Sequence, residues 1–323
     1  MELPMKKEDT RQFHAVSLSG GKDSTAMLLL MIEKGMPIDV VLTADTGMEF
    51  PEVYEHLAKL DRYLYKKRKI HITYLRHHEG FEYLMFDEPK QKPTTIETRK
   101  KYGIPLFGNG WPGVRVRWCT GQLKTHLIEK EVNRLKGDRE AVHYVGIAAD
   151  EAYRIKNKRY PLIEWGITEE DALQICYKHG FDWGGLYEIY DRCSCWCCPF
   201  QRIDELRKLR KHHPDLWMQL QRMDRRALAQ FGDSPLGRFK QDWTVTELEA
   251  RFAAEDRNAA ASTPIEVPRR SLFGKLRHRL HLSNDGKTPK RRRPHVTRTD
   301  TNPHKRYEPR RLARTPKKVP RRV

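Results

Sequence analysis

Four short apolar runs punctuate the first 150 residues, separated by longer segments of helical character. His14-Ala15-Val16-Ser17-Leu18, Val40-Val41-Leu42-Thr43-Ala44, Ile70-His71-Ile72-Thr73-Tyr74-Leu75 and Ala141-Val142-His143-Tyr144-Val145-Gly146-Ile147 have the length and alternation of buried strands. Residues 25–32 are good helix formers and too apolar for a surface helix. Residues 51–67 put Val53, Leu57, Leu60 and Leu64 on one helical face, and 120–135 also read as helix. Strands alternating with helices predict an α/β fold, a parallel sheet flanked by helices on both faces.

The pattern then changes twice. Residues 80–116 carry Pro89, Pro93, Pro105 and Pro112 and read as a loop-rich segment of the kind that forms lids. Thr168-Glu169-Glu170-Asp171 reads as a helix N-cap with acidic first-turn residues, and the helix runs to about His179, closed by Gly180. Helices are expected at 203–212 and 215–230. Beyond about Asp256 large apolar residues become too sparse to offset the entropy of ordering the chain. Three segments are expected: a nucleotide-binding α/β domain over 1–185, a Cys-rich helical segment over 186–255, and a disordered basic tail over 256–323.

Charge sharpens this division. The 323 residues carry a net +19, and residues 264–323 hold +16 of it, with 20 Lys+Arg against 4 Asp+Glu. The remaining +3 leaves the globular part nearly neutral. Blocks such as Lys290-Arg291-Arg292-Arg293 and Arg310-Arg311 suit the phosphate backbone of a nucleic acid, the alternative being a solvated extension. No run has the length of a membrane helix, and 1–7 lack a signal-peptide core, so a cytoplasmic protein with no membrane partner is expected. Six cysteines, four of them within 193–198, do not resemble a secreted disulfide framework.

Ser19-Gly20-Gly21-Lys22-Asp23-Ser24 lies between the first strand and the first helix. Free backbone N–H groups and the positive end of the helix dipole converge there on an anion, usually a phosphate. Lys22 adds a movable charge, and Ser19 and Ser24 add hydroxyls. The spacing is not that of a Walker A loop, since Asp23 follows the lysine.

This string resembles the PP-loop of the ATP pyrophosphatase, or adenine nucleotide α-hydrolase-like, superfamily. Ala44-Asp45-Thr46-Gly47 with Pro51-Glu52, Arg117-Trp118-Cys119-Thr120 with Leu123-Lys124, and Gly146-Ile147-Ala148-Ala149-Asp150-Glu151 with Arg154 are similar to its phosphoadenosine phosphosulfate (PAPS) reductase-like branch. The stretch 183–201 looks like members carried by bacterial genomes and prophages. The resemblance covers about 10–220. It implies an enzyme that binds an adenine nucleotide, ATP or PAPS, with Ser17, Ser19, Gly20, Gly21, Lys22, Asp23 and Ser24 as the cradle. Asp45, Thr46, Gly47, Gly146 and Asp150 would lie beside the nucleotide. Arg115, Arg117 and Lys124 would supply positive charge. Lys22, Asp23, Arg117 and Lys124 are the candidate catalytic residues, and a thiol donor such as thioredoxin is an implied partner. Asp150 and Glu151 are candidates for Mg²⁺, with a plain capping role as the alternative.

Cys193-Ser194-Cys195-Trp196-Cys197-Cys198 is dense enough for a soft metal or for redox pairs. Cys195 and Cys198 have Cys-x-x-Cys spacing. The resemblance adds Cys119 and implies a [4Fe–4S] cluster on Cys119, Cys193, Cys195 and Cys198, with Cys197 as the alternative ligand. Zinc takes the same thiolates. No cysteine follows Cys198, where true sulfonucleotide reductases carry one near the C-terminus. Three functions follow: sulfonucleotide reduction, ATP-dependent modification such as thiolation of a nucleic acid, or a non-catalytic nucleotide- or nucleic-acid-binding module. Trp111, Trp118, Trp183 and Trp196 fall near the motifs, and His77-His78 and His212-His213 are read as surface histidines.

Overall fold

A computed structural model describes residues 12–114 and 116–262. Its centre is a four-stranded parallel sheet of order β3-β2-β1-β4. The strands are β1 (Gln12–Ser17), β2 (Val40–Asp45), β3 (Ile72–Arg76) and β4 (Glu140–Val145). The central strands β1 and β2 are buried almost throughout, whereas β3 and β4 at the edges alternate or lie half-exposed. The period-2 geometry of a strand splits the core in two. Val16, Val41, Ile72 and Tyr144 face the larger cluster, formed with α1 (Lys22–Glu33) and α2 (Pro51–Arg68). Phe13, Ala15, Val40 and Leu42 face Val132 on a helix that covers the other side. Both faces are covered, as a parallel sheet requires.

Helix α1 packs Met27, Leu28, Leu29 and Met31 with no exposed surface, which explains why it has no polar face. Helix α2 buries Val53, Leu57, Leu60 and Leu64, the residues its periodicity selects.

The segment 80–116 departs from the expected loop. It contains a helical turn with a π-bulge at Tyr83–Asp87, and helix α3 (Pro93–Lys101) starting from a proline at its first position. Phe81, Leu84, Met85, Phe86 and Trp111 are buried, so the prolines punctuate short helices rather than a free lid. Gly108 and Gly110 have φ of 68° and 66°, and a Cβ at either would strike backbone of Met85 or Leu236.

The sheet-covering helix is α4 (His126–Lys136), preceded by a π-turn at Gly121–Thr125. Helix α5 (Glu169–Lys178) opens with the expected cap. The Thr168 hydroxyl accepts from the Asp171 N–H at 3.2 Å, and Asp171 returns the bond to the Thr168 N–H at 3.0 Å. Helices α6 (Ile203–His212), α7 (Pro214–Phe231) and α8 (Val245–Ser262) follow. Helix α8 extends past Asp256, where the apolar pattern was expected to fail. Its anchors Val245, Leu248 and Phe252 are all buried in the first half, and its last turns are carried by alanines. The basic segment expected to contact nucleic acid lies outside the described residues, as does Arg115. Among the described residues no helix is long and apolar enough to cross a membrane.

Candidate functional site

The carboxyl ends of the four strands form one rim, and the candidate residues sit along it. Parallel sheets place ligands at this rim because loops and helix N-termini converge there. Ser17 ends β1, Asp45 ends β2 and Arg76 ends β3, with Asp45 and Arg76 directly paired in the strand register.

The loop 18–21 turns straight into α1, whose first helical residue is Lys22. Gly20 has φ 79°, and a Cβ there would press on Val53 and Leu57 at 3.0 and 3.3 Å. The Ser24 hydroxyl donates to the Gly21 carbonyl at 3.1 Å and accepts from the Ser19 N–H at 3.1 Å. Gly146 gives the first strand-end helix its room. A Cβ on Gly146 would lie 2.6 Å from Ser24 Cα and 2.7 Å from Ser24 N. Gly146 thus allows the close approach of β4 to the loop.

Lys22 is 7 % exposed, and its ammonium donates to Glu169 at 2.6 Å and Asp23 at 2.9 Å. Burial alone would lower its pKa, but the Glu169 and Asp23 carboxylates outweigh it and raise it. Burial raises Asp23, while Glu169 ends below the usual carboxylate range because Lys22 and Arg192 overcome its burial. Arg192 also donates to Glu151 at 2.6 Å, and Glu151 pairs with Arg154. Asp150 accepts the Glu169 N–H at 3.2 Å and so anchors the start of α5. That is the capping role weighed against Mg²⁺.

Asp45 has a dense set of donors: the Gly47 N–H at 2.8 Å, the Tyr54 hydroxyl at 2.9 Å and the Arg76 guanidinium. Burial opposes its charge, yet these donors hold its carboxyl below the ordinary range. Gly47 reaches its φ of 76° without strain. Ser17 turns its hydroxyl to His143 Nε2 at 2.5 Å, away from the loop.

Thr46 is where the strand-end rim meets the cysteines. Its hydroxyl lies 4.0 Å from Cys195 Sγ and donates to Glu49 at 3.3 Å. Cys195 donates to Glu49 at 3.3 Å and lies 3.7 Å from Lys124 Nζ, which pairs with Glu49 at 3.1 Å. Burial pushes the Cys195 thiol up to about 12. Cys197 and Cys198 are raised as well, chiefly by burial, and charge on Cys119 would raise both further. These four thiols are therefore neighbours. Cys193, which the sequence placed among the four ligands, departs from them. It lies half-buried beside the Tyr187 hydroxyl and Lys22, at the Ser19–Ser24 loop, with its thiol pushed up to about 12 by desolvation. The chain direction explains this: Cys193 precedes the turn in which the Cys198 N–H donates to the Cys195 carbonyl at 3.1 Å.

Among the described residues no group of three or more His, Cys, Asp or Glu side chains is placed to hold a metal ion. Arg117 is exposed, stacked over Phe200 at 4.9 Å from the ring centroid, so it joins the cysteine end rather than the loop.

The four expected tryptophans are core: Trp111, Trp118, Trp183 and Trp196 are all buried. His213 is half-buried rather than at the surface, held between Tyr190 at 2.8 Å and Glu52 at 3.1 Å. Sequence reading missed Glu49, Tyr187, Glu169 and Arg192 as site residues. Only Glu169 gave a signal, as an acidic first-turn residue.

Residues 14–102, which span the loop and the Asp45-Thr46-Gly47 rim, match the family profile described as phosphoadenosine phosphosulfate reductase domain. Over these residues the chain is similar to a PAPS reductase domain. The chain is also similar to an uncharacterized protein of Methanocaldococcus jannaschii, 28% identical over 218 residues, covering 62% of this chain and 39% of that protein. It therefore spans about two fifths of that relative's length. An uncharacterized protein from the gpa 5′ region of Escherichia phage 186 is 23% identical, over 62% of this chain and 71% of its own. An uncharacterized nin region protein of Escherichia phage lambda is 29% identical, over 52% and 60%. A crystal structure of PAPS reductase from Candida auris in complex with phosphate aligns with 16% identity and a TM-score of 0.35, over 56% of this chain and 78% of that one. The matched segment ends before Lys124 and the cysteines, so the sulfur-bearing half of the site lies beyond it.

Proposed function

We propose that this chain is an adenine-nucleotide-using enzyme that performs sulfur chemistry at Cys195. The nucleotide's phosphates would sit on the Ser19–Ser24 loop, with its remainder along Asp45-Thr46-Gly47. The observation that carries this reading is the 4.0 Å approach of Cys195 Sγ to Thr46, which puts a thiol on the nucleotide rim. Loop N–H groups and Lys22 would stabilise charge growing on a leaving phosphate or pyrophosphate. Glu49 is placed to accept the Cys195 proton, and Lys124 to stabilise the resulting thiolate. A soft-metal centre on Cys119, Cys195, Cys197 and Cys198 belongs to this proposal as its finer form, and binding would release protons from thiols that burial holds protonated.

Activity separates the two substrates. With PAPS or adenylyl sulfate and a thiol donor such as thioredoxin, sulfite is expected from the wild type and at least 100-fold less from Cys195→Ser. Pyrophosphate release from ATP, with no sulfite from either sulfonucleotide, would replace reduction by ATP-dependent modification of an acceptor. The +16 charge of 264–323 favours a nucleic acid as that acceptor. A chain ending at Ser262 should then bind nucleic acid more weakly, with a smaller salt dependence.

A further inference from the structure

Two groups from outside the matched segment 14–102 stand on one residue of its loop. The Tyr187 hydroxyl lies 2.8 Å from the Lys22 backbone N. An N–H can only donate, so the phenol oxygen is the acceptor. It stands where a phosphate oxygen would take the first N–H of α1. It also lies 3.4 Å from the position of a Cβ at Gly21. Glu169, the first residue of α5, meanwhile takes the Lys22 ammonium at 2.6 Å.

Both contacts are braced. The Trp183 indole donates to the Gly20 carbonyl at 2.8 Å, and its ring meets Tyr187 edge-on at 4.8 Å. Arg192 holds Glu169 at 3.2 Å. The main-chain donor of Lys22 is thus taken from within the segment 169–192, and two of the three ammonium N–H groups are taken by Glu169 and the loop's own Asp23. A phosphate that takes the Lys22 main-chain N–H must displace the phenol oxygen, and one that takes the ammonium competes with a carboxylate already bound to it.

We propose that Tyr187 and Glu169 are built-in competitors of the nucleotide's phosphates and set its affinity by occupying Lys22 in the empty protein. The inference rests on the nucleotide reading of the loop. Its energetic consequence is a linkage. Removing the Tyr187 hydroxyl leaves the Lys22 N–H unpaired only while the loop is empty. Tyr187→Phe therefore destabilises the empty form and leaves the filled form unchanged, so binding tightens. Glu169→Gln weakens the hold on the ammonium and acts in the same direction.

The test is calorimetric titration of the full chain with ATP and, separately, inorganic pyrophosphate. Wild type, Tyr187→Phe and Glu169→Gln are compared, with melting temperatures of the empty proteins alongside. Tyr187→Phe is expected to lower the ATP Kd about five-fold while lowering the empty protein's Tm, a pairing that a merely structural tyrosine would not produce. Glu169→Gln, at a half-buried helix start, gives an independent reading and is expected to tighten ATP about three-fold. Wild type binding ATP with both variants equal or weaker would overturn the competition and make these side chains ligand contacts or scaffolding. ATP or pyrophosphate binding by the variants but not by wild type would support it. No binding by any of the three would overturn the nucleotide reading itself.

Discussion

Lowering the pH from 7 to 5 is expected to remove up to about 4 kcal/mol of stability through two imidazoles, offset by about 1 kcal/mol from Asp224, whose carboxyl is raised by burial to about 6 in the fold. His56 is 4 % exposed, accepts or donates at Thr25 Oγ1 at 3.0 Å, and stacks on Trp183 at 4.1 Å. Burial, reinforced by the Lys59 charge, pushes its pKa down to about 3. His143, less deeply buried, is pushed down to about 4 by burial and Lys158. Both are neutral when folded at pH 5, whereas in the unfolded chain they protonate near 6.5. The unfolded state then binds more protons, so stability rises with pH through this window and is lost on acidification below about 6.5. At pH 5 each group contributes up to about 2 kcal/mol of that loss. Urea unfolding at pH 7, 6 and 5 measures it. His56→Gln should remove about half of the imidazole contribution, and a flat profile in an Asp224→Asn background would show that these imidazoles are hydrated or charged in the fold.

Gly146→Ala is expected to cost about 3 kcal/mol and to weaken nucleotide binding at least ten-fold. The added methyl meets backbone on its three nearest sides: Ser24 Cα at 2.6 Å, Ser24 N at 2.7 Å and the Asp23 carbonyl carbon at 2.9 Å. No rotamer change relieves a clash with backbone, so α1 must move away from β4 and carry the loop with it. Thermal unfolding and nucleotide titration read the two effects together. Wild-type stability in the variant would mean that this approach is looser than the geometry gives. Gly113→Ala, where nothing lies within 4 Å and φ is not positive, is the matched control.

The sheet was legible because its physics is local. Each strand is a short apolar run, and the glycines and lysine of the loop fall between strand and helix, where a phosphate needs them. The acidic cap of α5 was legible for the same reason, since Thr168 and Asp171 bond across three residues. The site's electrostatics were not. Lys22 meets Glu169 across 147 residues and Tyr187 across 165, and Glu49 meets Cys195 across 146. Such pairs are set by how helices and turns dock, which no spacing along the chain encodes. Cys193 shows the limit most clearly. Four cysteines within six residues suggest one shared centre, yet a tight turn after Ser194 separates the first from the rest. The prolines of 80–116 misled in the opposite sense: Pro93 opens a helix at the position where its missing N–H costs nothing.

The account rests on the Ser19–Ser24 loop as an adenine-nucleotide phosphate site, and direct titration of the full chain with ATP and PAPS tests it. Wild type is predicted to bind at least one of them. Lys22→Met, which removes the ammonium but keeps the stem, should bind it about 30-fold or more weaker, in line with the loss of a charged hydrogen bond of about 2–3 kcal/mol. Equal affinity in wild type and Lys22→Met, or no binding of either nucleotide by the folded wild type, would contradict it.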